Sequence, residues 1–116
     1  MNRHNATNFV GDPTWTLRIA LEKMREYRMW QSCTYTAYLN VADRFIDFGL
    51  KQGYEPTLEG IQSHHVEKYI KQAKGKEACQ TTKRVLASLS SIYSFYVNLG
   101  IIKDNPFKEV IRRTTW

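Results

Sequence analysis

Six basic side chains fall between Lys68 and Arg84, namely Lys68, Lys71, Lys74, Lys76, Lys83 and Arg84, and the single acid among them is Glu77, which leaves a net charge of +5. The whole chain carries 17 Lys and Arg against 11 Asp and Glu, or +6, with a pI near 9.4, so one short stretch holds nearly all of the excess. Positive charge concentrated in this way neutralises phosphates and releases the counterions condensed around a nucleic acid. A solvated helix face followed by a charged loop is the plainer account of the same residues.

Other reactive residue types lack the spacing that chemistry needs. His64 and His65 are adjacent, so a helix turns them roughly 100° apart and they cannot share a metal as an i, i+4 pair does; they read as surface histidines. Carboxylates sit beside lysines, as in Glu22-Lys23 and Glu67-Lys68, the pattern of a solvated helix surface. The six glycines are isolated, so no phosphate-cradling loop and no nucleophile elbow occurs. Cys33 and Cys79 are too far apart for a metal knuckle or a redox dithiol and read as packing residues. Five of the seven tyrosines, Tyr35, Tyr38, Tyr69, Tyr93 and Tyr96, fall on apolar stripes. As given, the chain is expected to be non-catalytic and to use no cofactor, metal or small molecule.

Helices must position the basic stretch. Residues 1–13 are polar and aperiodic and read as a flexible arm that ends where Pro13 can open a helix. A first helix over about residues 14–29 repeats Leu17, Ala20, Leu21, Met24 and Tyr27. A second, capped by Ser32 and reaching Gln52, repeats Tyr35, Tyr38, Ala42, Phe45 and Phe48, and Gly53 stops it. A third, over Ser63 to Ala73 with Ser63 as its cap, buries Val66, Tyr69 and Ile70 behind Ile61, and Lys74-Gly75-Lys76 breaks it. The fourth runs from Ala78 to Leu99, buries Val85, Leu86, Leu89, Ile92, Tyr93, Tyr96 and Leu99, and stops at Gly100. Asn105-Pro106 reads as a turn, and residues 111–116 as a basic linker. No strand pattern persists, and the connections are short, so the expected fold is an all-α, compact four-helix bundle.

The 116 residues suit one core, and with 42% hydrophobic and 24% charged residues the composition excludes disordered and low-complexity classes. No apolar run approaches the roughly 20 residues of a membrane span, and Met1 to Val10 is too polar for a signal peptide. A cytoplasmic protein with no membrane partner is expected. No repeat of solenoid length is visible.

Three groups of residues resemble the core-binding domain of tyrosine recombinases, the phage-integrase and Xer-like family. They are Thr34-x-x-x-Tyr38 with Phe45 and Phe48; Ile61-Gln62 with Val66-x-x-Tyr69-Ile70; and Thr81-x-x-Arg84-x-Leu86-Ala87-Ser88-Leu89 leading to Ile92-Tyr93, Gly100-Ile101-Ile102 and Asn105-Pro106. The likeness covers about residues 15–110 and rests on the joint order of these groups. Ser90 stands where many relatives carry arginine, Gln62 where a capping threonine is usual, and Ala42 where leucine is common.

The resemblance implies a SAM-like orthogonal bundle, residues 14–110, that covers one face of duplex DNA while a separate catalytic domain covers the other. It implies that the chain is a non-catalytic part of a strand-exchange enzyme, with residues 111–116 leading toward the missing domain. Double-stranded DNA at a recombination core site and further recombinase protomers would be the partners. Carried over by position, Thr34, Thr81 and Arg84 are the implied contacts. The start of the fourth helix adds unsatisfied amides, the Thr82 hydroxyl and Lys83, all suited to phosphate oxygens. Lys74 and Lys76, one loop away, add a less directional attraction. Gln80 is either a base reader or a plain solvent-exposed residue, and Arg25 on the first helix serves as a reference charge remote from the cluster. Two rivals remain, a stand-alone helical DNA-binding regulator and a protein-interaction bundle, the second of which leaves the clustered charge unexplained.

Overall fold

The computed structural model describes residues 9–115, in which five helices follow one another: α1 Leu17–Arg28, α2 Ser32–Gln52, α3 Ser63–Ala73, α4 Cys79–Asn98 and α5 Pro106–Arg113. Among the described residues the only β pairing is an isolated bridge between Thr16 and Thr57, so the fold is all-α.

α1 and α2 form an antiparallel hairpin pinned at both ends, with Arg18 bonded to Asp43 at 2.7 Å and the Arg25 guanidinium 4.5 Å over the Tyr35 ring. The turn between them begins at Met29, a non-glycine in left-handed conformation at φ 55°, and Trp30 stacks on Tyr38 behind it. Gly53, at φ 98°, ends α2 as expected. α5 lies against α3 and α4, and α4 against α2. The predicted stripes supply the core: Leu21 and Met24 from α1, Phe45 and Phe48 from α2, Val66 and Tyr69 from α3, and Leu86, Leu89 and Tyr93 from α4.

The structure corrects four expectations about the chain's ends, its turns and its cysteines. Pro13 does not open α1. Thr16 caps it by accepting from the Ile19 N–H, while Asp12 accepts from the Thr14 N–H and hydroxyl in a turn that precedes it. Residues 13–17 are strapped to the loop before α3, where Leu17 donates to the Pro56 carbonyl and Leu58 to that of Trp15. Second, of the expected flexible arm, residues 1–8 lie outside the described residues, but Phe9 is anchored against Trp15, Tyr27, Phe95 and Tyr96. Third, Asn105-Pro106 starts a helix instead of merely turning the chain. Asn105 Oδ1 accepts from the Phe107 and Lys108 N–H groups, and proline fits the first helical position because it has no N–H to satisfy. Helical structure therefore continues to Arg113 through residues assigned to the linker, with Phe107 and Val110 buried; Trp116 lies outside the described residues. Fourth, Cys33 and Cys79 are exposed and free, not packed.

Candidate nucleic-acid interface

α4 divides cleanly into two faces. Thr82, Val85, Leu86, Leu89 and Tyr93 turn inward, and Gln80, Lys83, Arg84, Ala87 and Ser91 lie on the exposed side. The exposed positions recur every three or four residues, so one solvent-facing stripe begins with polar and basic side chains and continues with small ones. Ala78 occupies the N-cap and supplies no side-chain acceptor, which leaves the first amides of α4 without a capping side chain.

Glu77 sits where the loop enters α4 and is already engaged. One carboxylate oxygen accepts from Arg44 at 2.8 Å and the other from the Thr82 hydroxyl at 2.7 Å. Its side chain is only 17% exposed. The acid inside the basic stretch is thus turned inward and balanced by an arginine from α2, so it barely offsets the surrounding lysines. Tyr69 packs close by. Burial, followed by the charge of Glu77, pushes its phenol up to about 12, against the opposing pull of Arg44.

These contacts overturn the assignment of Thr82 as a phosphate ligand. Its residue surface is 3% exposed and its hydroxyl is committed to Glu77, because it lies three positions before Val85 on the buried stripe. Gln80, Lys83 and Arg84 remain on the surface and Thr81 is half-buried beside them. Lys74 and Lys76 are exposed in the α3–α4 loop, and neither they nor Arg84 forms an ion pair among the described residues. Thr34 is half-buried in the first turn of α2, about 15 Å along that helix from Arg44, by the rise of 1.5 Å per residue. Arg44 marks where α2 meets the start of α4, so Thr34 lies well along α2 from that junction. Arg25, bound over Tyr35 next to Thr34, is consequently no remote reference charge.

Sequence reasoning missed two polar roles. His65 is not a plain surface histidine: it is half-buried, and its Nδ1 accepts the N–H of Gln62, the N-cap of α3, at 2.9 Å. Gln62, rather than Ser63, therefore holds the cap position. Asn105 Nδ2 reaches back to the Ser90 carbonyl at 2.8 Å and the Ser94 hydroxyl at 2.9 Å. Position 90 accordingly faces the α4–α5 junction in this chain. The signal for the first was a side chain able to accept, three residues after Gln62, and for the second an Asn-Pro pair at a helix start.

Partial burial, then the adjacent His64, lowers the pKa of His65 below the ordinary 6.5. Protonation at Nδ1 would also replace an acceptor with a donor facing the Gln62 N–H. A histidine depressed in the folded state binds its proton more readily when unfolded, so its contribution is complete well above pH 6.5 and is lost as the pH falls below that value. The melting temperature is expected to drop between pH 7.5 and 5.5, and His65→Gln, which keeps an acceptor at this position, is expected to flatten that drop. An equal drop in the variant would remove His65 from the account.

Among the described residues there is no group of three His, Cys, Asp or Glu able to hold a metal ion, and no helix long and apolar enough to cross a membrane. No family model, no curated protein and no solved structure matches this chain.

Proposed function

We propose that this chain is the DNA-binding, SAM-like core-site domain of a tyrosine-type site-specific recombinase, holding duplex DNA through phosphate contacts. The observation that carries the reading is the exposed stripe of α4, with Gln80, Lys83 and Arg84 at an N-terminus free of side-chain caps and Thr81 alongside. Amides and cations at a helix start suit phosphate oxygens, and the small Ala87 and Ser91 beyond them leave room for a backbone to approach. Lys74 and Lys76 add attraction from the neighbouring loop. Thr34 is a further contact in the first turn of α2, and Gln80, the one amide in the first turn of α4, is the candidate for reading a base edge. The strand-exchange chemistry belongs to a further domain, and other protomers of the same recombinase are its partners on the core site.

Arg84→Ala tests the placement. It is expected to weaken duplex binding by about 1 kcal/mol or more, the scale of a charge-assisted hydrogen bond, or roughly fivefold. Lys103→Ala, an equal loss of charge in the exposed loop between α4 and α5, is expected to have a clearly smaller effect. Equal losses for both, with helical content unchanged, would reduce the attraction to the general field of a basic protein and would remove DNA from α4.

A further inference from the structure

Beyond α4, an open groove of about 540 Å³ runs between α3 and the residue that follows α5, lined by His64, Glu67, Lys68, Ile70, Lys71, Lys74 and Thr114. Glu67 is its only acid, and that carboxylate is bonded to Arg113 of α5. The Thr114 hydroxyl is likewise spent on the Val110 carbonyl. Lys68, Lys71 and Lys74 are all exposed and enter no ion pair among the described residues. The groove thus presents three cations with no acid left to balance them.

We infer that this groove is a second phosphate-binding surface, which carries the backbone of a DNA duplex past α4 and along α3; the inference rests on the DNA-binding reading above. Lys68, Lys71 and Lys74 are three residues apart, so they climb about 9 Å along the helix axis at 1.5 Å per residue. One strand of a duplex advances 3.4 Å per phosphate along its own axis, so three lysines with that spread address two or three successive phosphates. Lys74 belongs both to the groove and to the α3–α4 loop, which makes the basic surface continuous from α3 to the approach to α4. A lipid surface fits poorly. The large exposed apolar side chains, Val10, Ile19, Met29 and Leu50, lie on other elements, and the groove's Ile70 is buried.

Lysine acetylation of the free protein and of its complex with a duplex, read by mass spectrometry, tests the inference together with salt titrations of a Lys68→Ala/Lys71→Ala variant. Lys103→Ala/Lys108→Ala, of equal charge, is the control. Bound duplex is expected to protect Lys68 and Lys71. The slope of log affinity against log salt should fall by about two in the groove variant and by clearly less in the control, since each lost phosphate contact removes about one. Lys68 and Lys71 acetylated in the complex as readily as in the free protein, with the two double variants equivalent, would overturn the groove and leave the α4 reading standing. Absence of any duplex binding by the unmodified chain would overturn both.

Discussion

Phe107→Ala is expected to cost about 3–5 kcal/mol, the range for truncating a buried aromatic residue. The side chain is fully buried, edge-on to Phe45 at 5.2 Å and tilted against Tyr93 at 4.8 Å, so its loss opens a void where α2, α4 and α5 meet. A domain of this size has only about 5–15 kcal/mol in total, so the melting temperature should fall by about 10–20 °C. Thermal unfolding followed by circular dichroism measures it directly. Lys108→Ala, an exposed neighbour, should stay within about 0.5 kcal/mol. A small effect at Phe107 would mean that α5 is peripheral to the core.

Duplex binding is expected to weaken about a thousandfold between 50 and 200 mM salt if Lys68, Lys71, Lys74, Lys76, Lys83 and Arg84 each neutralise a phosphate. Six contacts give a slope near −5 on logarithmic axes. If only Lys74, Lys76, Lys83 and Arg84 take part, the slope is nearer −4 and the loss about a hundredfold. Titration of a labelled duplex at several salt concentrations separates the two, and affinity unchanged across that range would exclude phosphate neutralisation altogether. The inward-turned Glu77 sharpens the expectation, because its pairing with Arg44 keeps it from repelling the DNA backbone.

Four helices could be read from the chain because their stripes are long and regular. Val85, Leu86, Leu89, Ile92 and Tyr93 of α4 are each buried as their spacing requires, and Gly53 and Gly100 stop α2 and α4 with positive φ. α5 escaped because Asn-Pro signals a helix start as well as a turn. At eight residues, its stripe of Phe107 and Val110 is too short for periodicity to decide between them. Phe9 was hidden for a related reason: a single aromatic residue in a polar segment has no period, and only tertiary contact with Phe95 and Tyr96 reveals its place. On the candidate site, exposure of Gln80, Lys83 and Arg84 followed from the helical phase, and so should the burial of Thr82 have done. Residue type drew that threonine toward the phosphate, whereas its position on the α4 stripe turned it toward Glu77. The Arg44–Glu77 pair joins residues 33 positions apart, and no local pattern encodes such a contact.

Trp15 packs edge-on to Tyr96, and Phe9 against both Phe95 and Tyr96, across about eighty residues of intervening chain. During synthesis, at about 5–20 residues per second, Phe9 and Trp15 therefore wait roughly 4–16 s before the residues that complete their surroundings leave the ribosome. Through that interval α1 can already lean on α2 and on the loop before α3, whose Pro56 carbonyl accepts the Leu17 N–H, and the α1–α2 hairpin is the local, early unit. The arrival of Phe95 and Tyr96 then closes α4 over the segment that leads into α1, so the fourth helix seals the first.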